Sequence, residues 1–211
     1  MLKLDRDINL KSIIMTKTQQ NLLKAFAGES QARNKYTIFA KMARKEDWEW
    51  IARVFEETAD NERAHAEELY EMITGKVEAG ATLEIAPYST KTIDNLKMAA
   101  EGERFEWTSM YPDFEKVAHE ESETAKTVKE KAEMADAARL FGELKEVEEK
   151  HEERYIILAK KLDSATLYNS EAEVEWKCLN CGYIHRGKTP PTSCPLCKKP
   201  DRWYVRLGMV R

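Results

Sequence analysis

Nowhere in this chain of 211 residues does an apolar run approach the ~18 residues that a membrane-spanning helix requires, so no transmembrane segment is expected. The N-terminal stretch MLKLDRDINLKSIIMTK has neither a signal-peptide hydrophobic core nor a small-residue cleavage site, and Asp5 and Asp7 speak against a transit peptide. A cytoplasmic location follows, with residues 1–15 read as an N-terminal extension and Met15 as an alternative start. Also missing are a glycine-rich phosphate loop, a nucleophile elbow and a basic patch interleaved with aromatics. Nucleotide and nucleic-acid chemistry are therefore unsupported. Cysteine is scarce as well, and all four copies fall in two pairs, Cys178-Leu-Asn-Cys181 and Cys194-Pro-Leu-Cys197, with 12 residues between them. Without a secretory signal, disulfides rank low. Two Cys-x-x-Cys turns instead bring four thiolates around one ion, either zinc or iron.

What the chain does have is carboxylates where a helical core expects apolar side chains. Glu29 stands in LLKAFAGESQARNKY, Glu62 and His65 form a Glu-x-x-His in FEETADNERAHAEELY, Glu103 and Glu106 lie in AAEGERFEW, and Glu148 and His151 form a second Glu-x-x-His in LKEVEEKHEERY. Glu29 shares a helix face with Leu22, Phe26, Ala32 and Tyr36; Glu62 with Phe55, Ala59, Ala66 and Leu69; Glu148 with Phe141, Leu144 and Tyr155. In a chain that is 34% charged, one Glu-x-x-His is most often a solvated helix face. Here the same order occurs twice: Glu29 precedes Glu62 by 33 residues and Glu103 precedes Glu148 by 45, as in a duplicated helix pair. A buried carboxylate without a counter-charge is prohibitively costly, and bound cations remove that cost. One glutamate from each of two helices with Glu-x-x-His from each of two others is the ligand recipe of a di-iron or di-manganese carboxylate bundle. The ligand types make Glu62 and Glu148 the bridging candidates and Glu29 and Glu103 terminal ligands on opposite metals. Taken alone, the four-cysteine motif favours a structural zinc ribbon; beside a di-iron site, which must be supplied with electrons, it favours iron.

With both motifs in place, AFAGESQARNKY, ETADNERAHA, AAEGERFEWTSMYPDF, EKHEERY and WKCLNCGYIHRG…CPLC resemble the segments of the rubrerythrin family, in that family's order, over residues 17–211. The resemblance implies a ferritin-like four-helix bundle with a non-haem di-iron centre, followed by a rubredoxin-like domain with one iron on Cys178, Cys181, Cys194 and Cys197. It also implies reduction of hydrogen peroxide in the oxidative-stress defence of an anaerobe, with rubredoxin or an NAD(P)H-dependent reductase as electron donor, as in an NADH peroxidase. Glu106 becomes the family's extra carboxylate, with one iron moving between Glu106 when oxidised and His65 when reduced, while His151 stays bound to the other. Tyr36 and Tyr111 become phenols that hydrogen-bond ligand carboxylates. A head-to-tail homodimer is implied, because the tether to the sulfur domain is short relative to the bundle. A ferroxidase or iron store is the alternative, and a zinc-ribbon interaction module on a structural bundle is a third.

The expected layout is mainly α: a bundle over residues 16–163, a linker over 164–173 and a small metal-stapled domain over 174–211. That last part is too small to be stable without its ion. Residues 172–211 carry eight Lys or Arg against three acidic residues, so a basic small domain faces an acidic bundle. The first helix is expected over about 17–45, and the second from an N-cap at Asp47 to a stop at Gly75. A long crossover over 76–90, with Gly80 and Pro87, then lets the third helix run parallel to the second. That third helix starts near Ser89 or Thr90 and bends just after Glu106 because of Pro112, and the fourth ends near Leu162. About 11 residues around ETAKTVKEKAEM exceed the family's short turn there, and their three helical turns are expected to protrude into solvent. Trp48 and Trp50 read as packing groups, Trp176, Tyr183 and Trp203 as the core of the sulfur domain, and His119 and His185 as surface histidines.

Overall fold

The computed structural model describes residues 16–74 and 88–208. The expected N-terminal extension, Met15, Gly75, Gly80 and Pro87 lie outside those residues. The helices are α1 (Lys17–Lys45), α2 (Glu49–Met72), α3 (Thr92–Phe105), α4 (Tyr111–Thr124) and α5 (Val128–Asp163). A π-helical turn over Glu106–Met110 joins α3 to α4, so the four columns of the bundle are α1, α2, α3 with α4, and α5. The helices form because each chain segment repeats a small or apolar residue every three or four positions. Along α1 the buried set is Leu22, Ala25, Glu29, Ala32, Tyr36, Phe39 and Ala43, alternating steps of three and four. Glu29 thus occupies a core position in the repeat, as do Glu62 between Ala59 and Ala66 on α2 and Glu148 between Leu144 and His151 on α5.

The ends of the helices fix their directions. Thr16 caps α1 through Gln19 N–H, while Glu121 at the far end of α4 accepts from Lys17 N–H, Thr18 N–H and the Thr18 hydroxyl. Gln19 also bonds the Met72 carbonyl at the end of α2 (3.0 Å). At the opposite end, Glu46 accepts from the Thr92 N–H at the start of α3. Helices α2 and α3 therefore start at the same end of the bundle and run parallel. Asp47 is not the N-cap of α2. It takes a left-handed φ of 64°, and the Trp48 N–H bonds Ala43 O (2.9 Å) and the Asp47 N–H bonds Arg44 O (3.1 Å), a Schellman ending for α1. Helix α3 begins at Thr92, slightly later than expected, because the Ser89 hydroxyl is engaged by Lys91 N–H (3.0 Å). The irregularity expected after Glu106 is the π turn itself: the Tyr111 N–H reaches back five residues to Glu106 O, and Pro112 opens the next helix, where its missing N–H costs little. Residues 126–133 are all exposed, with Val128 at 88%, so this end of α5 protrudes, started by a capping box between Thr127 and Glu130. Among the described residues, no helix is long and apolar enough to cross a membrane.

The small domain is a three-stranded antiparallel sheet in the order β2-β1-β3, with β1 at Val174–Cys178, β2 at Ile184–Gly187 and β3 at Tyr204–Arg206. Its core is Trp176, Tyr204, Cys178 and Cys194. Tyr183 is 38% exposed and Trp203 lies under the Lys199 ammonium, so two of the three expected core aromatics sit at the rim and Tyr204 takes their place. The domain is clasped onto the α1–α2 turn. Trp48 stacks on Tyr168 (centroids 6.1 Å apart), the Arg202 guanidinium lies 4.1 Å from the centre of the Trp48 ring, and Arg202 Nη1 donates to Glu46 O (2.9 Å). Trp50 is buried in the bundle core beside Tyr168, so both tryptophans are packing groups, as expected.

Candidate metal centre

The heptad positions of Glu29, Glu62, Glu103 and Glu148 aim four carboxylates into the bundle axis, and each is buried. The two Glu-x-x-His pairs face each other across that axis. His65 Nδ1 lies 2.9 Å from Glu62 Oε2, 3.1 Å from Glu148 Oε1 and 3.7 Å from Glu29 Oε2. His151 Nδ1 lies 2.7 Å from Glu148 Oε2, 3.4 Å from Glu62 Oε1 and 4.0 Å from Glu103 Oε2. Glu62 and Glu148 each send one oxygen to each histidine, whereas Glu29 serves only the His65 side and Glu103 only the His151 side. Two overlapping clusters result, Glu29–Glu62–His65–Glu148 and Glu62–Glu103–Glu148–His151, each with ligand atoms within 4.8 Å of one another.

The donor set fits a pair of cations. One imidazole nitrogen cannot satisfy three carboxylates, and Glu29 Oε2, Glu62 Oε1, Glu103 Oε2, both Glu148 oxygens and His151 Nδ1 are buried without a properly aligned hydrogen bond. Leaving such groups unpaired in an apolar interior is prohibitively expensive. Protonation shows the same frustration. Burial, with the charges of Glu148 and Glu62 beside it, pushes Glu29 up to about 8, and burial likewise drives Glu103 and Glu106 well above the carboxylate range. Burial also acts to raise Glu62, but the His151 and His65 rings outweigh it and hold Glu62 down at about 2. Burial disfavours the charged rings, but the carboxylates around them win, raising His151 to about 9 and His65 further. Some carboxylates keep protons because the cluster has too little positive charge, and divalent ions would displace those protons.

Around the clusters, the Tyr36 hydroxyl donates to Glu103 Oε1 and the Tyr111 hydroxyl to Glu29 Oε1, so each phenol bonds the glutamate that belongs to one cluster only. Glu106 stands apart: it is half-buried on the π turn and joins neither cluster. Three contacting residues escape sequence reasoning. Asn61 Nδ2 lies 3.2 Å from His151 Nε2, fixing the ring's far side; Trp107 Nε1 donates to the buried Glu152, tying the π turn to α5; Lys35 is held against the Tyr36 ring. The sequence signal for the first two was adjacency, since Asn61 precedes Glu62, and Trp107 and Glu152 follow Glu106 and His151.

In the small domain, Cys178 and Cys197 sulfurs are 3.6 Å apart, as are those of Cys181 and Cys194. A disulfide would bring sulfurs to about 2.04 Å, whereas a tetrahedral ion with bonds of about 2.3 Å separates them by roughly 3.8 Å. The spacing fits an ion. Each knuckle closes on a left-handed residue, Gly182 after the first and Lys198 after the second, whose N–H bonds the carbonyl of Cys178 or Cys194 (2.9 Å each). Burial pushes the Cys194 thiol up, yet the neighbouring Tyr204 hydroxyl and the Cys197 and Leu196 N–H groups hold it down at about 6, ready to ligate as thiolate.

Comparison with known proteins agrees with both halves. The family model described as rubrerythrin matches residues 20–162, and that of the rubrerythrin rubredoxin-like domain matches residues 176–204. Rubrerythrin-1 of Clostridium acetobutylicum is 39% identical over 203 residues, covering 94% of this chain and 98% of that protein. Rubrerythrin of Porphyromonas gingivalis is 38% identical over 194 residues, 92% of each chain. A solved structure of nigerythrin in a mixed-valence state superposes with a TM-score of 0.57 at 32% identity, covering 94% of this chain and 90% of that one. With one family model spanning the helical bundle and the other the four-cysteine sheet domain, and with relatives of 38–39% identity along nearly the whole length, the chain belongs to the rubrerythrin family.

Proposed function

We propose that this protein is a non-haem di-iron peroxidase that reduces hydrogen peroxide to water, fed with electrons through an iron on Cys178, Cys181, Cys194 and Cys197. The observation that carries the reading is the pair Glu62 and Glu148, each presenting one oxygen to either cluster, with several of those buried oxygens lacking any aligned partner. Two ferrous ions held there would supply one electron each, the two that peroxide and two protons need to become two waters. Glu62 and Glu148 would each help hold both ions, Glu29 and His65 would complete the site of one, and Glu103 and His151 that of the other. By the family resemblance, Glu106 and His65 would be alternative holders of one of these ions, Glu106 when it is oxidised and His65 when it is reduced. Tyr36 and Tyr111 orient Glu103 and Glu29 through their hydroxyls. The apolar walls, among them Phe55 and Phe141, keep bulk water from the clusters.

The sulfur domain sits at the Glu46 end of the bundle, 17 residues along α1 from Glu29, or roughly 25 Å of helix. That separation supports a head-to-tail homodimer in which the partner subunit's sulfur domain serves this cluster, with rubredoxin or an NAD(P)H-dependent reductase upstream. A cytoplasmic location belongs to the same proposal, supported by four cysteines that are all free thiols. The test is to load the protein with ferrous iron, supply excess reductant and follow peroxide consumption alongside metal analysis. Expected are iron in all three ligand clusters, thiolate-to-iron charge-transfer bands and sustained turnover. Oxidation of added ferrous iron without catalytic peroxide turnover would make the protein a ferroxidase instead, and zinc at the cysteines with an inert bundle would refute both.

A further inference from the structure

The inner nitrogens of the two cluster histidines are placed alike. His65 Nδ1 and His151 Nδ1 each face Glu62 and Glu148, and the ring centres lie 6.0 Å apart with their planes at 24°. Their outer nitrogens differ. Asn61 Nδ2 stands 3.2 Å from His151 Nε2, whereas among the described residues nothing bonds His65 Nε2. One helical turn before Asn61 on α2, Glu57 accepts from Arg154 Nη2 of α5 (2.8 Å), and Arg154 follows His151 by three residues, so an ion pair pins the two helices beside this contact. The His151 side chain is 7% exposed and that of His65 13%. An ion in the clusters would lie on the Nδ1 side of each ring, which leaves the single proton of a neutral imidazole on Nε2. At His151 that proton meets Asn61, whose amide presents its carbonyl oxygen after a half-turn about its last bond. Swinging the His151 ring out of the cluster breaks this bond and leaves a half-buried amide short of a partner. Swinging His65 out breaks no such bond.

We propose that Asn61 is a positioning residue that fixes His151 as the permanent imidazole of the metal pair, and that the want of a counterpart at His65 is what leaves His65 free to yield its place. The inference rests on the reading of the two bundle clusters as metal sites and of His65 as the imidazole that exchanges. It locates the difference between two otherwise matched sites in one amide of α2.

The experiment loads the full-length protein with zinc, which involves no peroxide chemistry, and follows the imidazole protons by NMR together with the zinc bound at each site. In the unaltered protein the His151 Nε2 proton should give a resolved, slowly exchanging resonance, and the His65 Nε2 proton should exchange faster with solvent. Asn61→Leu keeps the volume and removes the hydrogen bond. The slow His151 resonance should then be lost, and zinc affinity should fall by about 10–100-fold on the His151 side, more than on the His65 side. Asn61→Asp supplies the acceptor that a zinc-bound ring requires, so it should restore both the resonance and the affinity, a rescue that a packing role does not give. Native exchange and affinity in Asn61→Leu, or an Asn61→Asp protein that behaves as Asn61→Leu does, overturns the proposal. An unaltered bundle that takes up no zinc sinks the metal-site reading and this inference with it, whereas zinc uptake indifferent to Asn61 sinks this inference alone.

Discussion

Stripping the metals from the bundle should invert its response to pH. In the metal-free fold Glu29 keeps its proton up to about 8, whereas in the unfolded chain it ionises near 4.5. A group raised in this way contributes stability that is complete below 4.5 and is lost as pH climbs through its folded value. A displacement from 4.5 to about 8, at 1.36 kcal/mol per unit, amounts to about 5 kcal/mol from this one buried side chain. His151, raised from 6.5 to about 9 by Glu148 and Glu62, loses its contribution over the upper part of the same range. Glu103 and Glu106 act in the same direction. Glu62 is the exception: held down at about 2, its contribution is present above 4.5 and vanishes only as pH falls toward 2. Metal-free protein should therefore lose several kcal/mol between about pH 5 and about pH 8, read from urea midpoints of helical ellipticity. Metal-loaded protein should run the other way, because ions displace the same protons and bind tighter as pH rises. A metal-free bundle that gained stability over that range, or stayed level, would refute the picture of carboxylates kept neutral for want of cations.

Glu148→Ala removes an oxygen from both clusters, so elemental analysis should find both bundle metals lost, whereas Glu103→Ala should empty only the His151 side. Tyr111→Phe deletes the donor to Glu29; titration should show metal affinity on the His65 side falling by about 10–100-fold with the fold intact. Cys194→Ser should release the ion of the small domain and unfold its sheet, seen as collapse of the Trp176 and Tyr204 proton resonances, while the helical signal of the bundle is kept.

The buried carboxylates were legible because each replaces an apolar residue within an unbroken heptad, so Glu29, Glu62 and Glu148 announce their burial by their neighbours. The cysteine knuckles were legible from spacing alone. Asp47 was misread because Asp is a favoured N-cap and its short polar side chain can also visit the left-handed conformation, and only the backbone bonds to Ala43 and Arg44 decide. The π turn was located by Pro112 but not recognised, since EWTSM carries no local code for an extra residue per turn and the Trp107 bond to Glu152 that anchors it is made to another helix. Tyr204 was missed and Tyr183 overvalued because strand β3 is only three residues long, too short to display an alternating pattern.

Helices α1 and α2 form one hairpin, α3 to α5 the other, and neither owns a complete ligand set: the His65 cluster borrows Glu148, and the His151 cluster borrows Glu62. The ions would then act as rivets between two leaves of a hinge. Either leaf, expressed separately, should capture no metal, and mixing the two should reassemble the bundle only when metal is added, with the second ion seating more easily than the first.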